Sequence, residues 1–108
     1  MMEPLVSILI PAYNAAPWIR ETLESALAQS WPNKEIVVVD DGSSDDTATI
    51  VENVGSPIVR LIRRPRTGPS ATQNEAFRQS RGAFIQRLDA DDLLSPDKIA
   101  TQMARLEA

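Results

Sequence analysis

The 108-residue sequence contains neither cysteine nor histidine. Without cysteine there is no disulfide, no thiolate nucleophile and no Cys-based metal site. Without histidine the commonest general base is gone. Any catalysis must rest on carboxylates, backbone groups, or a metal held by oxygen. No P-loop and no G-x-G-x-x-G occurs, so the usual glycine-rich phosphate cradle is missing as well. The net charge of −4 argues against bulk attraction to nucleic acid or an anionic membrane. No run approaches the ~20 apolar residues a spanning helix needs. The opening MMEPLVSILIPAYN starts acidic, and its apolar run is cut by Pro11, unlike a signal peptide. The chain is expected to be soluble and cytoplasmic, with no nucleic-acid partner. A parent protein could still meet a membrane through segments outside these residues.

What is present is ordinary globular material, 43% apolar and 24% charged. A chain of this size forms one domain and buries roughly two-thirds of its unfolded surface. Its pattern alternates. LVSILI (Leu5 to Ile10) and EIVVVD (Glu35 to Asp40) are apolar, β-branched runs that predict strands buried on both faces. Between them, Pro17 suits a first helical turn, and Ile19, Leu23, Ala26 and Leu27 recur at helical spacing. Ser44 is placed to cap a second helix, with Asp45 and Asp46 in its first turn and Gly55-Ser-Pro57 closing it. IVRLIRR reads as a strand nearer an edge. Gly68-Pro69-Ser70 opens a third helix with Ala71, Ala76 and Phe77 inward, and Gly82 stands where a C-terminal cap belongs. AFIQRL is a fourth strand, and Ser95-Pro96-Asp97 starts a last helix carried by Ile99, Met103 and Leu106. The order βαβαβαβα predicts a Rossmann-like α/β fold, a parallel four-stranded sheet flanked by helices.

In such open sheets ligands bind beyond the carboxyl ends of the strands. The unusual residues lie there: Pro11-Ala12-Tyr13 after the first strand, Asp40-Asp41 after the second, Asp89-Ala90-Asp91-Asp92 after the fourth. Crowded carboxylates repel one another. Asp89 and Asp91 alternate, so on an extended backbone they point the same way. Such a pair suits Mg²⁺ or Mn²⁺, supplies too few ligands for a closed cage, and leaves positions open for a diphosphate. An EF-hand loop does not fit: Leu93 and Leu94 fall where its polar residue and glycine belong, and Asp46 replaces that glycine in the other register. A receiver domain would need a lone Asp ending a middle strand, where this chain has RRPR.

The segments VSILIPAYNAAPWIRETLESALAQSWPNKEIVVVDDGSSDDT and GPSATQNEAFRQSRGAFIQRLDADDLLSPDKI resemble, in order and spacing, the opening of family 2 glycosyltransferases of the GT-A fold. The resemblance covers nearly the whole chain. It implies a nucleotide-diphospho-sugar donor, often a UDP-sugar, whose sugar passes to a glycan, lipid or protein acceptor with inversion. Pro11, Ala12 and Tyr13 match the segment that holds the base, with the Tyr13 ring against its face. Asp40 and Asp41 match the acidic pair, one of which accepts a hydrogen bond from the base. Asp89-Ala90-Asp91 matches the D-x-D: Asp89 toward ribose or sugar, Asp91 on the Mn²⁺ or Mg²⁺ that bridges the diphosphate. Asp92 fits a D-x-D-D extension.

The chain departs from the family pattern in two places. Many relatives read AARN where this chain has ATQN, so Gln73 supplies no charge there. Nothing after Asp92 matches the family's general base, because Asp97 and Glu107 fall in an amphipathic helix. Residues 1–108 are therefore expected to be the donor-binding half of a domain truncated after the D-x-D, silent in transfer alone. The alternative from another class is a non-catalytic nucleotide-sugar or metal-binding module. A nucleotidyltransferase would carry a basic, glycine-rich turn where Pro11-Ala-Tyr-Asn14 stands. An uncovered fourth strand implies a homo-oligomer through that edge, with Ala83 to Leu88 or the last helix at the contact.

Plainer readings apply elsewhere. Trp18 and Trp31 read as cover for the core, Asn74 as a helix or crevice hydrogen-bonder, and Asp45 and Asp46 as helix-start charges. RLIRRPR, with four Arg in seven residues, reads as a solvated edge strand, Arg66 being best placed to reach a diphosphate.

Overall fold

A computed structural model describes residues 3–107. The elements run β1 (Val6–Ala12), α1 (Ile19–Leu27), β2 (Lys34–Asp41), α2 (Thr47–Val54), β3 (Val59–Arg64), α3 (Pro69–Gln79), β4 (Phe84–Arg87) and α4 (Lys98–Glu107). The sheet is parallel, in the order β3-β2-β1-β4. The chain steps outward from β1 to β3, then returns to the other side of β1. The strand order therefore reverses at β1, and a crevice opens at its carboxyl end.

Strand periodicity divides the core. Ile8, Ile10, Ile36 and Val38 face one layer with Ile19 and Leu23 of α1, Val51 of α2, and Ile99 and Met103 of α4. Leu9, Val37 and Val39 face the opposite way, against Ala76 of α3. Helices on both faces explain why β1 and β2 carry continuous apolar runs. Each such side chain buried contributes roughly 1.5–3 kcal/mol. Among the described residues, no helix is long and apolar enough to cross a membrane.

Four local expectations are corrected. Ser44 does not cap α2, which begins at Thr47 with Asp46 at the N-cap position, and the Asp45 carboxylate accepts hydrogen bonds from the Thr47 amide and hydroxyl. Asp45 and Asp46 therefore precede the helix rather than fill its first turn. Phe77 is 63% exposed, and the positions α3 buries are Thr72, Glu75 and Ala76. Helix α3 ends at Gln79, and Gly82 is not its cap. A Cβ on Gly82 would meet Ser7 Oγ at 2.5 Å and Ser7 N at 2.7 Å, so glycine is required for the close approach to β1. Finally, the Arg run is paired as well as solvated. Arg60 meets Glu35 at 3.1 Å, Arg63 meets Asp40 at 3.9 Å, Arg64 meets Glu75 at 2.9 Å and Arg66 meets Asp41 at 2.6 Å.

Candidate functional site

Parallel strands end together, and the loops after β1, β2 and β4 meet with the start of α3. They enclose a crevice of about 270 Å³. Its walls include Pro11 and Ala12 from β1, Tyr13 just after it, Asp41 from β2, Arg66 from the β3–α3 loop, Gln73 from α3, and Asp89 and Asp91 after β4.

The β1–α1 loop is locked to the β2–α2 loop. Asn14 adopts a left-handed φ of 48°. Its Oδ1 accepts from the amides of Ser44 at 2.8 Å and Asp45 at 3.4 Å. In return, the Ala15 amide donates to Thr47 Oγ1 at 2.9 Å, and the Ala16 amide to Asp45 Oδ2 at 3.1 Å. Burial opposes charge on Asp45, but hydrogen bonds from Thr47 and from the Ala16 amide outweigh it and lower its pKa. These ties fix the loop that carries Tyr13, a residue 44% exposed at the crevice.

Successive residues of a strand face opposite ways, and this separates the acidic pair. Asp40 is buried outside the crevice, accepting from the amide and hydroxyl of Ser43. Asp41 lines the crevice and takes four donors: the Thr67 amide at 2.8 Å, the Thr67 hydroxyl at 3.1 Å, the Gly68 amide at 3.0 Å and Arg66 Nη1 at 2.6 Å. Burial alone would raise its pKa; the amides of Thr67 and Gly68 and the Thr67 hydroxyl bring it below the usual carboxylate value. The Arg66 guanidinium also lies 3.6 Å from the centre of the Tyr13 ring, a cation–π contact.

The D-x-D segment is a turn rather than extended chain, closed by the Asp92 amide donating to the Asp89 carbonyl at 3.0 Å. Ala90 packs on the core, and Asp89 and Asp91 both reach the crevice. Asp92 is exposed and outside it. Three polar residues, two on α1 and Gln29 just after it, hold the segment and its continuation. Thr22 Oγ1 donates to the Ala90 carbonyl at 2.9 Å. Ser25 Oγ accepts from the Leu94 amide at 3.1 Å. Gln29 donates to the Ser95 carbonyl at 2.7 Å and accepts from the Ile99 amide at 3.2 Å. The apolar spacing of α1 conceals this role; only their 3- and 4-residue separation hints that they share a face.

Asp89 and Asp91 are exposed, and no ion pair joins either to a cation among the described residues. Nor do the described residues gather three or more acidic, His or Cys side chains into a metal-holding group. Two free carboxylates on one wall fit a hard divalent cation whose other positions are filled by water or phosphate. Trp18, Pro69 and Thr72 also line the crevice, which the sequence did not suggest. Trp31 covers the core as expected, whereas Trp18 is half exposed. Asn74 lies on the far side of α3, near Phe77 and Arg78.

Comparisons with known proteins agree with this architecture. Residues 7–108 match the profile of Glycosyl transferase family 2. Chondroitin synthase of Escherichia coli is 44% identical over 89% of this chain and 14% of its own length. The succinoglycan biosynthesis protein ExoO of Rhizobium meliloti is 41% identical over 97% of this chain and 30% of its own. Staphylococcus aureus TarS, solved in complex with UDP, superposes with a TM-score of 0.88 at 31% identity, covering 94% of this chain and 32% of that one. The Pyrobaculum calidifontis mannosyltransferase PcManGT, in complex with GDP-Man and Mn²⁺, superposes at 0.81 with 33% identity, covering 90% of this chain and 30% of that one. The chain belongs to the family 2 glycosyltransferases and has their GT-A fold, of which it represents an N-terminal portion. It spans less than half the length of these relatives.

Proposed function

We propose that residues 1–108 form the donor-binding half of a metal-dependent inverting glycosyltransferase that takes a UDP-sugar. The observation carrying this reading is that Tyr13, Asp41, Asp89 and Asp91 line one crevice at the point where strand order reverses. Tyr13 offers an aromatic face to a base, and Asp41 a carboxylate to an N–H of that base. Pro11 and Ala12 form the wall beside them; Asp40 contributes indirectly, by fixing the turn after β2 through Ser43. Asp89 and Asp91 would hold Mn²⁺ or Mg²⁺. Bound there, the cation supplies Lewis acidity that stabilises charge on a departing nucleoside diphosphate. TarS in complex with UDP and UDP-GlcNAc, and PcManGT with GDP-Man and Mn²⁺, support a nucleotide-sugar ligand and a divalent cation.

Transfer to an acceptor needs a general base, and the crevice carboxylates are already assigned to base and metal. In this reading the acceptor site and its base reside in a further portion of a longer protein, and the 108 residues alone bind donor without transferring sugar. Incubation with UDP-sugars and acceptors should give no glycosylated product; robust transfer would overturn the division of labour. Strand β4 is an open edge, with Phe84 and Ile85 each 38% exposed. Its free backbone groups favour pairing with a second copy when these residues stand alone. Light scattering at micromolar concentration should show a dimer or larger species.

Calorimetric titration tests the central claim. UDP should bind weakly in EDTA and about tenfold more tightly with Mn²⁺, a coupling of ordinary size. Asp91→Asn should remove most of that gain without altering the fold. Equal UDP affinity in EDTA and Mn²⁺ would refute the metal role.

A further inference from the structure

We propose that Arg66 is a built-in stand-in for the nucleotide base, and that a base enters the crevice by exchange with it. The inference rests on the reading of Tyr13 and Asp41 as the base subsite. The Arg66 guanidinium is a planar group stacked 3.6 Å from the Tyr13 ring centre, and it donates an N–H to Asp41 Oδ2 at 2.6 Å. A base with an in-plane ring N–H, such as uracil or guanine, would stack on the same ring and donate to the same carboxylate. Both groups cannot hold that ring face and that oxygen together.

Asp41 has no spare capacity, so an arriving donor must replace one already present. Two of its four donors are the backbone amides of Thr67 and Gly68. The loop that carries them is fixed against β2. Gly42, at φ 73°, passes so near it that an added Cβ would stand 2.6 Å from the Arg66 amide nitrogen. The Thr67 hydroxyl is bound to the other oxygen, Oδ1. The Arg66 guanidinium is the donor with freedom to leave. Its side chain is 49% exposed on a flexible stem, so releasing it uncovers little apolar surface. Once displaced, it stays tethered at the crevice wall, where its charge favours an anionic ligand. A nucleoside should therefore feel Arg66 as a competitor, and a nucleoside diphosphate should feel it as competitor and counter-charge together.

The experiment compares wild type with Arg66→Ala, titrated with uridine and with UDP in Mn²⁺. An ion pair between half-exposed Arg66 and buried Asp41 and one cation–π contact are lost on displacement, so Arg66→Ala should bind uridine about tenfold more tightly. UDP should gain less, so that the ratio of UDP to uridine affinity falls. The unaltered chain gives an independent readout. In wild type, the Arg66 Hδ resonances should be shifted upfield by the Tyr13 ring current, a shift that Tyr13→Leu abolishes and saturating uridine reverses. Uridine binding to Arg66→Ala that is no tighter than to wild type overturns the exchange, as does a ring-current shift that persists at saturation. In both cases the base subsite stands. If neither protein binds uridine at millimolar concentration, the base subsite itself fails, and the exchange with it.

Discussion

Asp41 and Asp91 are the same residue type in the same crevice, built in opposite ways. Asp41 is buried at the end of an eight-residue strand and accepts four hydrogen bonds from the loop that opens α3. Asp91 is exposed on a turn after a four-residue strand, with no ion-pair partner among the described residues. At the β2 end, then, the protein neutralises its own charge before any ligand arrives. At the β4 end the negative charge is left for something from solution to balance. The first arrangement yields a rigid, shaped subsite; the second yields affinity conditional on a cation.

The sharpest break of this contrast is truncation at each position. Asp41→Ala leaves the Thr67 and Gly68 amides without their acceptor and releases Arg66. It should cost about 2–4 kcal/mol of stability in urea unfolding. Asp91→Ala removes nothing the folded chain uses and should stay within about 0.5 kcal/mol. Equal losses would mean that the two ends are not built differently.

Acid should tell the same story with a smaller effect. The pKa of Asp41 lies below its ordinary 3.8, because its hydrogen bonds outweigh burial. The pKa of Glu35 lies below 4.5, where burial is outweighed by the Ser7 hydroxyl, the Arg81 amide and Arg60. A carboxylate with a lowered folded-state pKa contributes stability above its unfolded pKa, lost as pH falls through the folded one. The urea midpoint should therefore drop steadily from about pH 5 downward. Asp41→Asn should start lower and fall less steeply; an unchanged slope would remove Asp41 from the set.

The smallest expected effects lie just outside the crevice. Asp92→Asn and Phe77→Ser should each change stability by less than about 0.5 kcal/mol, since both side chains are exposed. Asp92→Asn should also leave the Mn²⁺ dependence of UDP binding intact. Loss of that dependence would move the metal position from Asp91 toward Asp92.

Much of the fold was legible because its signals are local. LVSILI and EIVVVD are strands buried on both faces, Pro69 opens a helix, and the alternation of elements implies a parallel sheet. The crevice residues were legible for a related reason: strand ends in a parallel sheet converge, so Tyr13, Asp41 and Asp89 had to lie near one another. Phe77 was misread because an aromatic at helical spacing looks like core. The inward positions of α3 instead include Glu75, made tolerable by Arg64 at 2.9 Å and by Arg78. Gly82 was misread because a glycine near a helix end looks like a cap, and only the nearness of Ser7 reveals a steric requirement.

The sequence by itself determined the element types, their order, the parallel sheet and the acidic strand ends, because hydrophobic period and turn residues act over a few neighbours. Tertiary structure alone decided which of Asp40 and Asp41 enters the crevice, since a two-residue period says that neighbours diverge but not which way. It also decided that Arg66, 25 residues from Asp41, would bind it and cover Tyr13. That Thr22, Ser25 and Gln29 would hold the D-x-D segment and its continuation from nearly 70 residues away was likewise unreadable. Those pairings depend on how the crossovers bring distant loops together, and no local pattern in the chain encodes that distance.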